Sequence, residues 1–329
     1  MTSRNRLGET RLILIGAAVL LSLGMGIRQS FGLFLTPITR DLALTAADFT
    51  LAVAVQNIVW GLSQAPIGAI ADRFGLRATM MAGAAIYVVG LLVMTAAQGA
   101  TALIVSGGLI GVALSCTASS LGLTAAARAV PEERRSKMLG VVAAAGSLGT
   151  FFIPLATQAL LAREAWQIGA LFFLILAVGM LPAGFWAGGA DRLPGRAGPR
   201  TTMHAVLGEA ARHRPFLVMS GAYFVCGLNL VFLTTHLPTY LAICGQDPML
   251  SAEALAVIGG MNCVGSLAGR LARREVPKAH PPGAALHPAR LRLYRLFHNA
   301  ADAGEHPRLR GRDGHAVAQR GAARQRPCR

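Results

Sequence analysis

Charge is scarce in this sequence. Only 14% of its 329 residues are Asp, Glu, Lys or Arg, while 53% are hydrophobic. Soluble globular domains carry about 25% charged residues, so the composition excludes an ordinary soluble domain and predicts a polytopic membrane protein. The charge-free runs 49–67 and 78–97 are each long enough to cross a hydrocarbon core about 30 Å thick as a helix.

The sequence also lacks the common motifs of membrane hydrolases and of transporters driven by ATP. No GxxxxGK[ST] phosphate loop occurs, which excludes transport driven by ATP bound to this chain. No HExxH, GxSxG or paired-carboxylate arrangement indicates a membrane hydrolase. We therefore predict that the protein is not an enzyme and uses no cofactor.

The cysteines form no CxxC pair and show no spacing with histidines that would build a metal site. Three of them lie inside apolar segments, where a thiol behaves as a small hydrophobic side chain. The sequence therefore predicts neither a disulfide nor a bound metal. The cysteines are Cys116, Cys226, Cys244, Cys263 and Cys328.

Apolar windows bounded by charge, proline or glycine predict eight membrane-spanning helices. The first window follows three arginines, but it is too long for the apolar part of a secretory signal, so we expect it to be retained. The predicted helices lie at 12–35, 49–71, 78–97, 101–126, 137–162, 166–189, 215–240 and 251–269.

Basic residues are concentrated on alternate connections between these helices. Fourteen Lys and Arg lie on the connections at the N-terminal side, and only Arg40 and Arg163 lie on the opposite connections. Because cytoplasmic loops are enriched in Lys and Arg, the N-terminus is predicted to be cytoplasmic. The expected location is a bacterial-type inner, or plasma, membrane.

The interval 189–214 is the longest polar stretch between predicted helices, and its glycines and prolines are typical of a linker. The expected fold class is an all-α integral membrane protein. It would comprise a six-helix bundle at 1–188, a cytoplasmic linker at 189–214, two helices of a second bundle at 215–269, and a basic tail of low order at 270–329.

A charged decapeptide at 68–77 connects the second and third predicted helices. It matches the Gly-x-x-x-Asp-Arg-x-Gly-x-Arg signature of the major facilitator superfamily, and the six-plus-linker layout makes 1–269 resemble that superfamily. The stretch 28–34 resembles its monocarboxylate transporter and oxalate-formate antiporter branch, and the stretch 56–62 is similar to bacterial members related to that branch. The signature residues are Gly68, Asp72, Arg73, Gly75 and Arg77.

This resemblance implies transport by alternating access around a site near the membrane midplane, with the signature loop as a gate. At a helix end, Asp72 can pair with Arg73, with Arg77 or with an adjacent helix N-terminus. The alternative is that the loop charges are only solvated and set the topology.

Arg28 lies far inside the first predicted helix, roughly 25 Å along it, which is beyond easy reach of the cytoplasm. A cation there costs on the order of 2.5 to 3.5 kcal/mol unless it faces a partner or a wet cavity. Gly24 and Gly32 share its helix face, so Arg28 is expected to point into the bundle. With no acid in the neighbouring spans, the expected partner is an organic anion. The alternative is that Arg28 reaches the outer interface and binds lipid phosphate or a carbonyl.

Other polar side chains recur at helical spacing and are expected to line the same cavity. Taken singly, each is more typical of an interhelical hydrogen bond. His236 can also carry a coupled proton, because imidazole titrates near neutral pH. The candidate substrate-binding residues are Arg28, Gln56, Asn57, Trp60, Asn229, His236, Tyr240 and Asn262.

The apolar pattern stops after 269. The remaining residues hold 14 Lys and Arg against 4 acids, and no apolar window there is long enough to cross a membrane. The tail is either a basic extension that contacts anionic lipid, a nucleic-acid-binding segment, or an out-of-frame translation of GC-rich DNA. The Arg, Ala, Gly and Pro content favours the last, so the chain is predicted to be truncated or frameshifted there.

The function expected is secondary active transport of a small, monocarboxylate-like organic anion by symport or antiport. Membrane lipids and a coupled proton are the other expected partners, and nucleic acid is not one. The alternatives are a transport-inactive truncated facilitator or membrane scaffold, and a drug or metabolite efflux facilitator. The fifth predicted helix lacks the Gly-Pro-x-x-Gly-Gly core of drug antiporters, which argues against drug export.

Overall fold

The computed structural model describes residues 3–117, 119–193 and 203–272, and it describes side chains for 8–117, 120–193 and 208–265. The tail predicted at 270–329, apart from its first residues, and part of the predicted linker lie outside the described residues. Within the described ranges the chain forms only helices. The all-α fold class is therefore confirmed.

The helices follow one another with short connections. They are α1 (Ser3–Ser30), α2 (Leu35–Asp41), α3 (Ala46–Phe74), α4 (Leu76–Thr95), α5 (Ala100–Thr117), α6 (Ser119–Ala129), α7 (Glu132–Leu161), α8 (Trp166–Ala187), α9 (Met203–Arg212), α10 (Arg214–Ile243) and α11 (Pro248–Ala272). Short 3-10 helices at Phe31–Phe34 and Gly188–Arg192 follow α1 and α8.

Seven of the described helical stretches are long and apolar enough to cross a membrane. Sequence patterning predicts eight, and the difference is α3, which has 29 residues and is long enough. Gln56, Asn57 and Gln64 lie in the middle of α3 and lower its hydropathy. The helix that departs from the apolar pattern is thus the one that carries several of the predicted site residues.

Local features at each end of α3 determine where the helix begins and ends. At its start, the Thr45 hydroxyl accepts a hydrogen bond from the Asp48 backbone N–H, and the Asp48 carboxylate accepts one from the Thr45 hydroxyl at 2.7 Å. Together with a 3.0 Å bond that the Thr45 backbone N–H donates to the Asp48 carboxylate, the first of these bonds forms a capping box, and the Thr45 hydroxyl chiefly holds the pKa of Asp48 below its usual range. At its end, Gly75 adopts φ +94°, a left-handed conformation that favours glycine.

Helix α1 packs against α7 and α8, and α4 packs against α5 and α8, around a core that includes Leu20, Ile27 and Met80. The contact between α1 and α7 is unusually close at Gly149. A Cβ atom there would collide with the Ser22 carbonyl group. Glycine therefore allows the two backbones to touch, as small residues do in membrane helix packing.

Helices α10 and α11 contact this bundle through short patches. On α10, Thr234, Thr235 and Pro238 are buried, and most of the earlier part of the helix is exposed. A Cβ atom on Gly32 would collide with the Thr234 carbonyl oxygen. On α11, the Leu255 carbonyl oxygen accepts a hydrogen bond from Gln29 Nε2 at 3.1 Å. The C-terminal part of α1 and the 3-10 turn after it therefore hold both helices.

The close contact at Gly149 gives a test of the packing. We expect Gly149→Ala to destabilise the bundle by about 1 to 3 kcal/mol, because the added methyl group overpacks the interface with Ser22. Gly61→Ala is the matched control, since nothing lies within 4 Å of a Cβ at that position. Thermal unfolding of the purified protein in detergent measures the effect, and equal midpoints for the two variants would contradict this account of the interface.

Candidate functional site

Arg28 lies near the end of α1, with its side chain inside the bundle. Its Nη2 donates a hydrogen bond to Asn57 Oδ1 at 2.9 Å, and its guanidinium carbon lies 4.8 Å from the centre of the Trp60 ring. Asn57 Nδ2 in turn donates to the Val53 carbonyl oxygen at 2.7 Å, which fixes the orientation of the amide. Two residues of α3 thus hold the guanidinium by a hydrogen bond and a cation–π contact.

No carboxylate neutralises Arg28 within the described part of the chain. The ion pairs found there join Arg128 to Asp72 and Arg192 to Glu9. The Nε atom of Arg28 is buried and has no hydrogen-bond partner. A buried cation with an unused donor is costly unless a further group pairs with it, so this position favours an anionic ligand.

A small cavity adjoins the guanidinium where α1, α3 and α10 meet. Its free volume is about 10 Å³, room for about one water molecule. An organic anion can therefore enter only if the helices separate. The cavity is lined by Arg28, Phe31, Gly32, Val53, Gln56, Asn57, Val231, Thr234 and Thr235.

The structure brings together the predicted site residues of α1 and α3 but not those of α10 and α11. Asn229 is exposed and donates to the Val225 carbonyl oxygen of its own helix at 3.0 Å. The His236 ring packs against Phe232 with 5.0 Å between ring centres. Tyr240 and Asn262 are exposed. None of these predicted residues lines the cavity beside Arg28.

A different face of α10 reaches the cavity, and sequence reasoning missed it. Thr234 and Thr235 are buried there, and the Thr234 hydroxyl donates to the Leu230 carbonyl oxygen of its own helix at 2.9 Å. The sequence feature that could have identified this face is the pair of adjacent threonines in an apolar segment. They follow Asn229 by five and six residues, which places them on another side of the helix.

In the signature loop, the partner of Asp72 is none of those expected from the sequence. Its Oδ1 lies 3.3 Å from Arg128 Nη2, which links the end of α3 to the end of α6. Arg73 and Arg77 instead lie over aromatic rings, with guanidinium carbons 5.4 Å from the Phe74 ring centre and 4.3 Å from that of Phe185. The loop arginines therefore contact aromatic rings, and the described ion pair of Asp72 is with Arg128.

Asp191 is a second residue that sequence reasoning missed. Its two carboxylate oxygens accept hydrogen bonds from the Leu76 and Arg77 backbone N–H groups, each at 2.8 Å. The carboxylate caps the first turn of α4, where the helix dipole favours negative charge. A Cβ atom on Gly75 would lie 2.8 Å from Asp191 Oδ2, so the signature glycine also makes room for this carboxylate.

The described part of the chain contains no candidate metal-binding site. No group of three or more His, Cys, Asp or Glu side chains there has the proximity needed to hold a metal ion.

Known proteins that resemble this chain include ones named as a transporter, an extrusion protein and an antiporter. The chain is 27% identical to monocarboxylate transporter 13 of Bos taurus, over 81% of this chain and 62% of that protein. It is 23% identical to the nitrite extrusion protein of Bacillus subtilis (strain 168), over 63% and 51%. It is 25% identical to the oxalate:formate antiporter of Oxalobacter formigenes, over 78% and 60%. The chain thus spans only about half to three fifths of the length of these relatives. The names of two of them confirm the resemblance to the monocarboxylate and oxalate-formate branch.

A solved structure shows the same fold. The crystal structure of the D-xylose-proton symporter matches 83% of this chain and 70% of its own chain, with a TM-score of 0.54 and 14% sequence identity. The family model described as Major Facilitator Superfamily matches residues 13–291. This multi-pass membrane protein, with its signature loop between α3 and α4, therefore belongs to the Major Facilitator Superfamily.

Proposed function

We propose that this chain carries out secondary active transport of small, monocarboxylate-like organic anions by alternating access around Arg28. The observation that carries the proposal is a guanidinium buried among apolar helices with no carboxylate partner in the described residues and an unpaired Nε. A carboxylate is the ligand that best matches a guanidinium in charge and geometry. The names of the relatives support this class of substrate.

The closed state of the cavity beside Arg28 supports a mechanism of alternating access. Gly32 and Thr234 meet by their backbones on one side of Arg28, and Gln29 binds Leu255 nearby. If the N-terminus is cytoplasmic, as the basic residues predict, this closed end faces the outside. The anion then enters or leaves at that end when α10 and α11 move away from α1.

The signature loop is proposed to act as a gate at the other end of the bundle. Asp72 is mostly exposed, with 76% of its side chain accessible, and its pair with Arg128 is a surface ion pair. Such a pair is worth about 0 to 1 kcal/mol, so it can be broken and remade during each cycle. The Asp191 carboxylate holds the neighbouring N-terminus of α4 in place while this happens.

Membrane lipids surround the helices, and a coupled proton is proposed to supply the driving force. His236 stays a candidate proton carrier because its imidazole lies on α10, the helix whose Thr234 closes the cavity. Its ring contacts Phe232 and not the cavity itself, so it would act through the movement of α10.

The proposal is tested by transport of radiolabelled lactate into proteoliposomes. We expect Arg28→Ala to reduce uptake at least tenfold, because it removes the positive charge and the paired donors. Arg28→Lys should restore only part of the uptake, since a lysine keeps the charge but cannot bind a carboxylate bidentately. Arg163→Ala is the matched control at an exposed arginine. Equal uptake by wild type and Arg28→Ala would refute the site, and no uptake by wild type would favour the scaffold alternative.

A second experiment tests the gate. We expect Asp72→Asn to lower the maximal rate of lactate uptake severalfold and to leave the affinity unchanged, because the gate controls movement and does not touch the substrate. The exchanged pair Asp72→Arg with Arg128→Asp should recover part of the rate. Glu164→Gln, at an exposed acid between α7 and α8, is the control. A changed affinity with an unchanged rate would contradict the gating role.

A further inference from the structure

A second cavity lies at one end of the bundle, where α1, α4 and α8 meet. Its free volume is about 120 Å³, against about 10 Å³ for the cavity beside Arg28. The two cavities share no lining residue, and the transport function proposed above gives the larger one no role. Among the residues that line it are Glu9, Leu12, Arg77, Phe185, Trp186 and Arg192.

This cavity lies at the ends of three helical stretches that are long and apolar enough to cross a membrane. Glu9 and Arg77 are each the second residue of their stretch, and Arg192 is the last residue of the third. The polar headgroups of a bilayer lie beyond the hydrocarbon core, at the ends of such spans, and tryptophan is enriched at that level. Trp186 lines the cavity and is 41% exposed. The cavity is therefore at the level expected of lipid headgroups.

Arg77 has a hydrogen-bond donor that the described part of the chain leaves unused. Its guanidinium carbon lies 4.3 Å from the centre of the Phe185 ring, and its Nε is buried without a hydrogen-bond partner. The nearby Asp191 carboxylate accepts from the Arg77 backbone N–H. Because an unpaired donor on a buried cation is costly, the Arg77 side chain favours an acceptor from outside the chain.

Arg192 supplies a second guanidinium to the same cavity. Its side chain is 64% exposed, and its Nη1 lies 3.9 Å from Glu9 Oε1, which is too far for a hydrogen bond. Glu9 is the only acid among the described residues that line the cavity. Two arginines and one glutamate leave one net positive charge, which matches the single negative charge of a phosphodiester.

Apolar side chains lie beside the two arginines and are accessible from outside the bundle. Leu12 is 45% exposed and Phe185 is 48% exposed, and both line the cavity with Trp186. A small soluble phosphate compound would leave this apolar surface uncovered, whereas the acyl chains of a lipid would cover it. The combination of charge and apolar surface therefore favours a phospholipid over a soluble anion.

We propose that this cavity binds an anionic phospholipid, with the headgroup phosphate between Arg77 and Arg192 and the acyl chains along Leu12, Phe185 and Trp186. Arginine binds phosphate oxygens through paired N–H donors, so both guanidinium groups suit this ligand. Basic pockets between membrane helices recognise acidic headgroups in the same way. The ligand is a component of the membrane and not the transported anion, so the site is distinct from that of Arg28.

The test measures lipid binding to the delipidated full chain in detergent by native mass spectrometry, with dioleoylphosphatidylglycerol as the probe. We expect Arg77→Gln and Arg192→Gln each to weaken binding about tenfold, because each removes a charged donor to the phosphate. Arg134→Gln is the matched control, since it changes the net charge equally at an exposed arginine in the first turn of α7 that does not line the cavity. This variant should bind the lipid as wild type does.

Two further probes separate an anionic lipid from other ligands. Dioleoylphosphatidylcholine has no net charge and glycerol phosphate has no acyl chains, so each should bind at least about tenfold more weakly than the probe. Equal binding of phosphatidylcholine would overturn the preference for an anionic lipid, and equal binding of glycerol phosphate would replace the lipid by a soluble phosphate compound.

The arginine variants decide whether the site is the one proposed. Unchanged binding in both Arg77→Gln and Arg192→Gln would overturn it, and an equal loss in Arg134→Gln would show only a general attraction between charges. If Arg77→Gln is not recovered as folded protein, Arg192→Gln decides the result, because the Arg192 side chain is exposed. None of these measurements requires transport, so the lipid site can fail or stand independently of the transport function.

Discussion

A guanidinium inside an apolar helical bundle has to be stabilised largely by the protein, because it is only partly accessible to solvent. At Arg28 this is done by one amide and one indole, both on α3. That requirement is consistent with the polar residues in the middle of α3, which is not among the stretches apolar enough to count as a candidate span. A fully apolar α3 would insert more readily, but it would leave the cation without partners. The polar composition of one helix thus follows from the single charge on its neighbour.

No acidic side chain pairs with Arg28 among the described residues, and the residues that line the closed cavity include no acid. Asn57 and Trp60 are neutral, so they stabilise the guanidinium without removing its charge. Around it the chain places small or hydroxyl-bearing residues, such as Gly32 and Thr234, in place of acids. An acid at either position would form a permanent ion pair and would compete with any anionic ligand. The lack of acidic residues in this cavity therefore supports an anionic ligand as strongly as Arg28 itself does.

Sequence patterns predicted the helices and the α1 and α3 parts of the site because both depend on information local to one helix. Apolar length determines a span, and a spacing of four residues places Gln56 and Trp60 on one face. The contribution of α10 could not be predicted in this way, since its most polar side chains, Asn229, His236 and Tyr240, do not line the cavity. Its cavity face is selected by the backbone contact of Thr234 with Gly32, a contact between residues far apart in sequence. Asp191 was missed for a similar reason, because its partners are backbone N–H groups 114 and 115 residues away.

The contact between Gly32 and Thr234 also bears on how a ligand and the closed cavity affect each other. The two backbones meet without a salt bridge, so separating them breaks van der Waals contacts and no strong ion pair. Closing them, in contrast, removes water from a charged guanidinium, and that cost is lowest when an anion is already bound. Closure is therefore more favourable with an anion in place than without one, under the transport mechanism proposed for this chain. Under that mechanism, one unpaired positive charge beside a glycine contact couples occupancy of the site to movement of α10.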